Sequence, residues 1–305
     1  MSLKNLLTRA FLQEDLNFLL TNRIPRRLAT RFMGWFSQLR QPLIRDLSIA
    51  LWKRCTDLDL AEAKKVHFDS MHDCFIRELK PGARPVEADS SRLTSPCDAI
   101  VGQCGRVDGT QVFQAKGFPY ELRDLLGDPA LVDLYRDGCY ATLRITASMY
   151  HRFHAPYDCA VEHVTYFSGD TWNVNPIALK RVERLFCRNE RAAIRTRVGA
   201  AGHVVTLVPV AAILVAGIRL HCVEVLLDGD YNGPHELACH ARYRKGEEMG
   251  WFQHGSTIIV FAPRGFTLAE GIAEGLRVRV GKALMRMPEG NALMRMPEGG
   301  VEAIS

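Results

Sequence analysis

Gly255 and Ser256 stand bare in front of an apolar run, in FQHGSTIIVFAP at 252–263. A residue without a side chain followed by a hydroxyl supports three readings. It is a tight turn before a strand, a nucleophile that needs a base, or a bond at which the chain cuts itself. Upstream, YHRFHAP carries two imidazoles, His151 and His154, with Arg152 between them. If that stretch is a strand end or a turn, both rings could reach one cleft. Imidazole titrates near neutral pH, so general acid/base work suits the pair. A purely structural pair is the bland alternative. A metal site is the remaining one, and no carboxylate or cysteine lies at a supporting local spacing. Asp98, in SPCDAIVGQCG, precedes another apolar run, where Asp usually serves a turn or a cap. Asp98, His154 and Ser256 run in an order known among Asp-His-Ser hydrolases, but geometry, not order, defines such a triad. Gly255 is followed directly by the serine, so the Gly-x-Ser-x-Gly elbow is absent. HELACH at 235–240 falls short of a zinc-protease helix, because Cys239 stands where the second His is needed. No metal is expected.

These groups need elements to position them. From about Arg92 onward, short apolar runs alternate with Gly, Pro, Asp and Asn: AIVGQCG, YATLRIT, AVEHVTYF, AAIRTRVG, VVTLVPVAAILVAGIRL, STIIVFAP and LRVRVG. Such lengths and punctuation predict strands. FPYELRDLLGDPALVDLYRDG, in their midst, reads as helical. The N-terminal part reads as three helices. Their apolar stripes are Leu3, Leu6, Leu7, Ala10 and Phe11; then Leu28, Phe32, Trp35, Phe36 and Leu39 after Pro25; then Leu43, Ile44, Leu47 and Leu51 after Pro42, ending near Trp52. The expected fold is α+β: N-terminal amphipathic helices followed by a β-rich, mainly antiparallel catalytic domain. The boundaries are 1–65 for a helical, membrane-associating segment, 66–282 for the β-rich domain, and 283–305 for a tail. That tail repeats ALMRMPEG, at 283–290 and 292–299, and is read as a local duplication without a function of its own.

The net charge of +5 hides an asymmetry. Residues 1–54 hold ten basic side chains against three acidic ones, so the rest of the chain is slightly acidic. A basic segment with amphipathic stripes and two tryptophans, Trp35 and Trp52, fits a helix lying in a lipid headgroup layer, with packing on the core as its alternative. No run is long and apolar enough to span a bilayer, and no secretory signal is expected. The nine cysteines are scattered singly, which argues against a disulfide framework and fits a reducing compartment.

Taken in order, several stretches resemble the bacterial phosphatidylserine decarboxylase proenzymes, from about Arg23 to Gly281. QAKGFPYELRDLLG, YHRFHAP, SGDTWNVNP, LFCRNER and KGEEMGWFQHGSTIIVF each look like a segment of that family, the last like the segment at which those proenzymes split. Ala99 and Cys159 depart from positions where the family usually has Gly, Ala147 from a Pro, and His254 from a Leu or Val.

The resemblance implies a chemistry. Ser256 Oγ attacks the carbonyl carbon of Gly255, and an N→O acyl shift gives an ester. Elimination frees a β chain, 1–255, from an α chain, 256–305. The dehydroalanine left at 256 hydrolyses to a pyruvoyl group with loss of ammonia. That cofactor forms an imine with phosphatidylserine and releases CO2, leaving phosphatidylethanolamine. Asp98 orients and charge-stabilises His154, which takes the Ser256 proton, and His151 acts as acid/base in the decarboxylation. The resemblance also implies a peripheral enzyme on the cytoplasmic face of the cell membrane, working on phosphatidylserine in an anionic bilayer. A homodimer of processed protomers and no nucleic-acid partner are expected with it. The competing expectations are a serine hydrolase using the same three residues without self-cleavage, and a non-catalytic membrane-binding scaffold.

Overall fold

The computed structural model of the chain describes residues 13–214, 217–253 and 257–288. The expected helix over Leu3–Phe11, the positions His254, Gly255 and Ser256, and the second copy of the repeat lie outside them. Helix α1 spans Glu14–Asn22, α2 Arg26–Ser37 and α3 Pro42–Cys55. The last two form where the stripes after Pro25 and Pro42 place them. Pro42 sits in the first turn of α3, where its missing N–H costs nothing, and Lys53 and Arg54 in the last turn suit the negative end of the helix dipole. Helix α1 was not expected. Phe18 packs against the body there, and Arg181 pairs with Asp15 and approaches the Phe18 ring.

The two candidate anchors separate. Trp35 is 60% exposed, whereas Trp52 is 8% exposed and stacks on Phe75 in a small core under α3. Leu28, Phe32, Leu43, Leu47 and Leu51 are also exposed, so α2 and α3 each present an apolar stripe that nothing in the described residues covers.

The body is built on antiparallel pairs. The largest sheet has nine strands among the described residues. Its path runs Glu236–Ala238, Cys159–Phe167, Arg191–Val198, His203–Val210, Thr257–Ala262, Cys139–Arg144, Ala99–Arg106, Arg277–Val278, with Arg242–Tyr243 pairing beside Cys159. Thr257–Ala262 lies in its middle, and every residue of it is buried. Ile258, Val260 and Ala262 face one core and Ile259 and Phe261 the other. Burial on both faces is why this strand reads as an unbroken apolar run instead of an alternating one.

One face of the big sheet packs on a smaller sheet ordered Leu226–Leu227, Ile218–Leu220, Glu248–Phe252, Arg152–His154. The other face packs on short helices over Leu122–Leu126, Pro129–Tyr135, Pro176–Leu179 and Leu185–Arg188. The stretch FPYELRDLLGDPALVDLYRDG, read as helical, is helical in two short pieces. Phe118–Glu121 is a strand, Gly127 ends the next helix with φ 73°, and Asp128 caps a new one that Pro129 starts.

The first copy of the repeat is no tail: Ala283–Arg286 is the middle strand of a three-stranded sheet between Arg92–Thr94 and Thr267–Leu268, with Leu284 and Met285 fully buried. The β-rich body therefore extends past the expected boundary at 282, because two large apolar side chains of that copy fill a slot in the core.

Candidate active site

The strand Glu248–Phe252 ends in the small sheet, and the next strand starts at Thr257 in the large one. Phe252 and Thr257 are both fully buried. The Gly-Ser pair thus belongs to the short link that carries the chain from one sheet to the other, with both ends clamped by hydrogen-bonded strands.

His154 ends the strand Arg152–His154, opposite Glu248. Its Nδ1 lies 2.9 Å from the Gly246 carbonyl oxygen and its Nε2 3.0 Å from the Tyr150 hydroxyl. A carbonyl only accepts, so Nδ1 carries the proton and Nε2 accepts from Tyr150. Burial holds the His154 imidazole below its ordinary pKa, against the opposing pull of the Gly246 bond. The ring is therefore neutral, with its basic nitrogen engaged by a weak acid. Burial also pushes the Tyr150 phenol up, so it remains a donor.

Asp98 sits just before the strand Ala99–Arg106, and the His154 amide donates to the Pro96 carbonyl at 2.8 Å, which ties the two segments together. The Asp98 carboxylate is occupied, however. Arg84 meets it with two nitrogens, Nε at 2.8 Å and Nη2 at 2.6 Å, and the Val280 amide adds a third donor at 2.9 Å. Glu62 holds Arg84 from the other side at 2.8 Å. Asp98 and His154 share no hydrogen bond among the described residues. Gly246 and Tyr150 orient the imidazole, and Asp98 reaches it only as a nearby negative charge. Arg84 and Tyr150 are the residues that sequence reasoning missed. Tyr150 lies inside YHRFHAP and was legible as a candidate, while nothing in the local pattern marks Arg84.

The two imidazoles do not share a cleft. His151 is 1% exposed and stacks on Phe75, ring centres 3.8 Å apart, whereas His154 faces the groove that holds Arg84, Arg152 and Glu248. Residues three apart on an extended chain point to opposite sides, and that sends the rings different ways. Phe75 in turn lines an apolar cavity between the N-terminal helices and the sheet. That cavity reaches Arg144, the cross-strand neighbour of Thr257.

Neither small-residue departure strains the backbone. The non-glycine residues with positive φ among those described are Asp137, Arg184 and Leu214, so Ala99 and Cys159 occupy conformations open to any residue. HELACH is no helix either, since Glu236–Ala238 is an edge strand.

The helices are bolted over this region. Arg26 of α2 pairs with Asp170 through two nitrogens and lies 3.7 Å over the Trp172 ring. Asn22 accepts from the Asn173 amide, and Thr30 accepts from the Leu214 amide. The stretch SGDTWNVNP thus serves as the dock for α1 and α2.

Residues 71–286 match the family described as Phosphatidylserine decarboxylase. Among curated relatives, a phosphatidylserine decarboxylase proenzyme of Saccharophagus degradans is 30% identical over 295 residues, covering 90% of this chain and 99% of that protein. Proteins of the same name from Erwinia tasmaniensis, 32% identical over 87% of this chain and 92% of their own, and from Vibrio cholerae, 31% identical over 85% and 94%, are similar to it too.

Proposed function

The chain belongs to the phosphatidylserine decarboxylase family, and we propose that it cuts itself between Gly255 and Ser256 and then removes the serine carboxyl of phosphatidylserine as CO2. The observation that carries the reading is the siting of the Gly-Ser pair. It links two buried strands of different sheets; the Phe252 amide, at the start of that link, donates to the His151 carbonyl, and His154 stands on the neighbouring strand opposite Glu248. The buried strands on either side, ending at Phe252 and starting at Thr257, anchor the chain around this position, which favours an intramolecular attack.

In this reading His154 Nε2 takes the Ser256 proton. Its neutral state, maintained by burial, is the form a base needs. The Tyr150 hydroxyl occupies that nitrogen beforehand and passes or yields its place. Asp98 acts from behind its Arg84 clamp as a fixed negative charge that favours the imidazolium when it forms. A pyruvoyl group made from Ser256 supplies the electron sink that amino-acid side chains lack. The surroundings suit such a group: the buried Thr257 hydroxyl, next in the chain, has no hydrogen-bond partner among the described residues and can donate to a ketone oxygen. We assign His151 to proton handling in the decarboxylation, on the strength of its place behind Phe75.

Membrane contact follows from the uncovered stripes. No helix among the described residues is long and apolar enough to cross a bilayer. Phe32, Trp35 and Leu43 project from helices whose flanks are arginine-rich, so the enzyme is proposed to lie on an anionic surface, on the cytoplasmic side, with the cavity beneath those helices. A homodimer of processed protomers belongs to the same proposal.

Mass spectrometry of the denatured protein tests the reading directly. Two pieces are expected, residues 1–255 and residues 256–305 with a pyruvoyl-blocked start, together with CO2 release from phosphatidylserine vesicles. Ser256→Ala should abolish both. A wild-type chain that stays intact would refute the proposal.

A further inference from the structure

Arg144 ends the strand Cys139–Arg144, and its Cα partner across the ladder is Thr257, the first residue after Ser256. Its side chain enters a cavity of about 460 Å³, in the range of sites that hold small molecules. The walls are mainly apolar, with Met33 from α2, Trp52 from α3, Phe75 and Ile213, and uncharged polar groups come from Thr146, Asn173 and Asn175. Among the described residues lining the cavity, Arg144 is the one that carries a charge. No carboxylate or carbonyl of the described residues pairs with it, and the other buried arginines differ in this respect. Arg77 donates to the Cys74, Ser148 and Met149 carbonyls, and Arg191 to four backbone carbonyls. Burial alone displaces the pKa of Arg144, downward, with no neighbouring charge to offset it. A half-buried guanidinium without a partner is costly to fold. It is a cost the fold tolerates where a ligand supplies the missing anion.

We propose that Arg144 binds the phosphodiester of the substrate's head group and so makes the enzyme specific for phosphate-bearing lipids. The inference rests on the decarboxylase reading for the identity of the lipid. A serine phospholipid offers two anions to this cavity, and chemistry selects between them. A guanidinium held on the carboxylate would stabilise the charge that must be lost as CO2 departs, and so would oppose the reaction. The phosphodiester keeps its charge from bound substrate to product. Holding it stabilises ground and transition states alike, which lowers KM and leaves kcat untouched. The geometry agrees: the head group's amine must reach position 256, and the phosphate lies only a few bonds from that amine. Arg144 stands one strand spacing, about 5 Å, across from the neighbouring Thr257. The apolar walls continue from the phosphate toward α2 and α3, where the acyl chains would return to the bilayer. Arg, unlike Lys, offers a planar fork matched to two phosphate oxygens.

The experiment compares wild type with Arg144→Met and Arg144→Lys, each first checked by mass for the 1–255 and 256–305 chains. With phosphatidylserine in mixed micelles, Arg144→Met should raise KM at least tenfold and keep kcat within about twofold. Arg144→Lys should fall between the two. With an O-acylserine amphiphile that lacks phosphate, all three proteins should have the same kcat/KM. A fall in kcat at unchanged KM, or an equal loss on both substrates, overturns the proposal. Should the variants fail to fold or process, wild-type protein alone decides. Glycerophosphoserine should inhibit, and its neutral methyl phosphotriester should not; equal inhibition refutes the assignment. Calorimetric binding of glycerophosphoserine to wild type and to Arg144→Met separates this inference from the decarboxylase reading. A wild type that releases no CO2 but binds the diester through Arg144 would sink the activity and keep the site, while equal binding to both proteins would sink the site alone.

Discussion

Glu190 is a carboxyl buried at 1% exposure, and burial, with Asp228 and Asp230 adding to it, raises its pKa from 4.5 to about 8. Tyr166 and the backbone at Gly217 oppose the rise without cancelling it. At neutral pH the folded chain therefore keeps a proton here that the unfolded chain gives up near pH 4.5. The stability contributed by this group is complete below about pH 4.5 and is lost as pH climbs toward about 8. Each pH unit in that window removes up to about 1.4 kcal/mol, so the ceiling is on the order of 5 kcal/mol, with water entry and relaxation reducing it. The perturbation is Glu190→Gln, which keeps shape and hydrogen bonding but cannot ionise. Urea unfolding, in a Ser256→Ala background so that one uncleaved chain is measured, gives the stability of both proteins from pH 5 to pH 8.5. The two should be close at pH 5 and diverge steadily in favour of the Gln variant, by several kcal/mol at pH 8.5. Function should follow, because the segment lining the cavity beneath α2 and α3 hangs on this residue and its neighbour. The Ala211 amide donates to the Glu190 carbonyl at 2.8 Å, and Asn189 donates to the Ala211 carbonyl. Parallel stability curves, with no growing gap, would refute the claim that Glu190 is protonated in the folded chain.

Arg84→Met should destabilise the uncleaved chain by about 3–5 kcal/mol, because it leaves the Asp98 carboxylate buried without its partner; it should also slow self-cleavage, read from band intensities over time, and a loss below about 1 kcal/mol would show the clamp to be dispensable. His151→Ala should still yield both chains but lose decarboxylation at least about a hundredfold, the lower range for removing an acid/base group; normal cleavage with wild-type CO2 release would show the assignment to be wrong. Phe32→Ser combined with Trp35→Ser should weaken sedimentation with anionic vesicles at least about tenfold, since each side chain buried in lipid contributes about 1.5–3 kcal/mol, and should leave Tm nearly unchanged because both are exposed. Leu284→Ala, in the first copy of the repeat, should cost about 2–5 kcal/mol in urea unfolding because the side chain is fully buried; a neutral result would return that copy to the status of a tail.

Sequence alone determined what local pattern and chemical type can determine. Pro25 and Pro42 mark the starts of α2 and α3 because proline's fixed φ and missing amide act within one turn. The runs around Ile100, Val161, Ile194 and Ile259 are strands because their lengths and turn residues allow little else. The ordered motifs around His154 and Ser256 carried the family. Tertiary structure decided what depends on partners far along the chain. Asp98 makes no hydrogen bond to His154 among the described residues because Arg84, fourteen residues away, takes its carboxylate in a charged fork, while Gly246, ninety-two residues beyond His154, supplies the carbonyl that fixes the ring. His151 and His154 parted because the backbone between them is extended, which spacing by itself does not reveal. Nothing within ALMRMPEG makes its first copy a buried middle strand; the pairing with Arg92–Thr94, nearly two hundred residues earlier, does. Propensity and periodicity act over a few residues. Charge pairing, register and burial act through space, and only the folded chain states which residues they join.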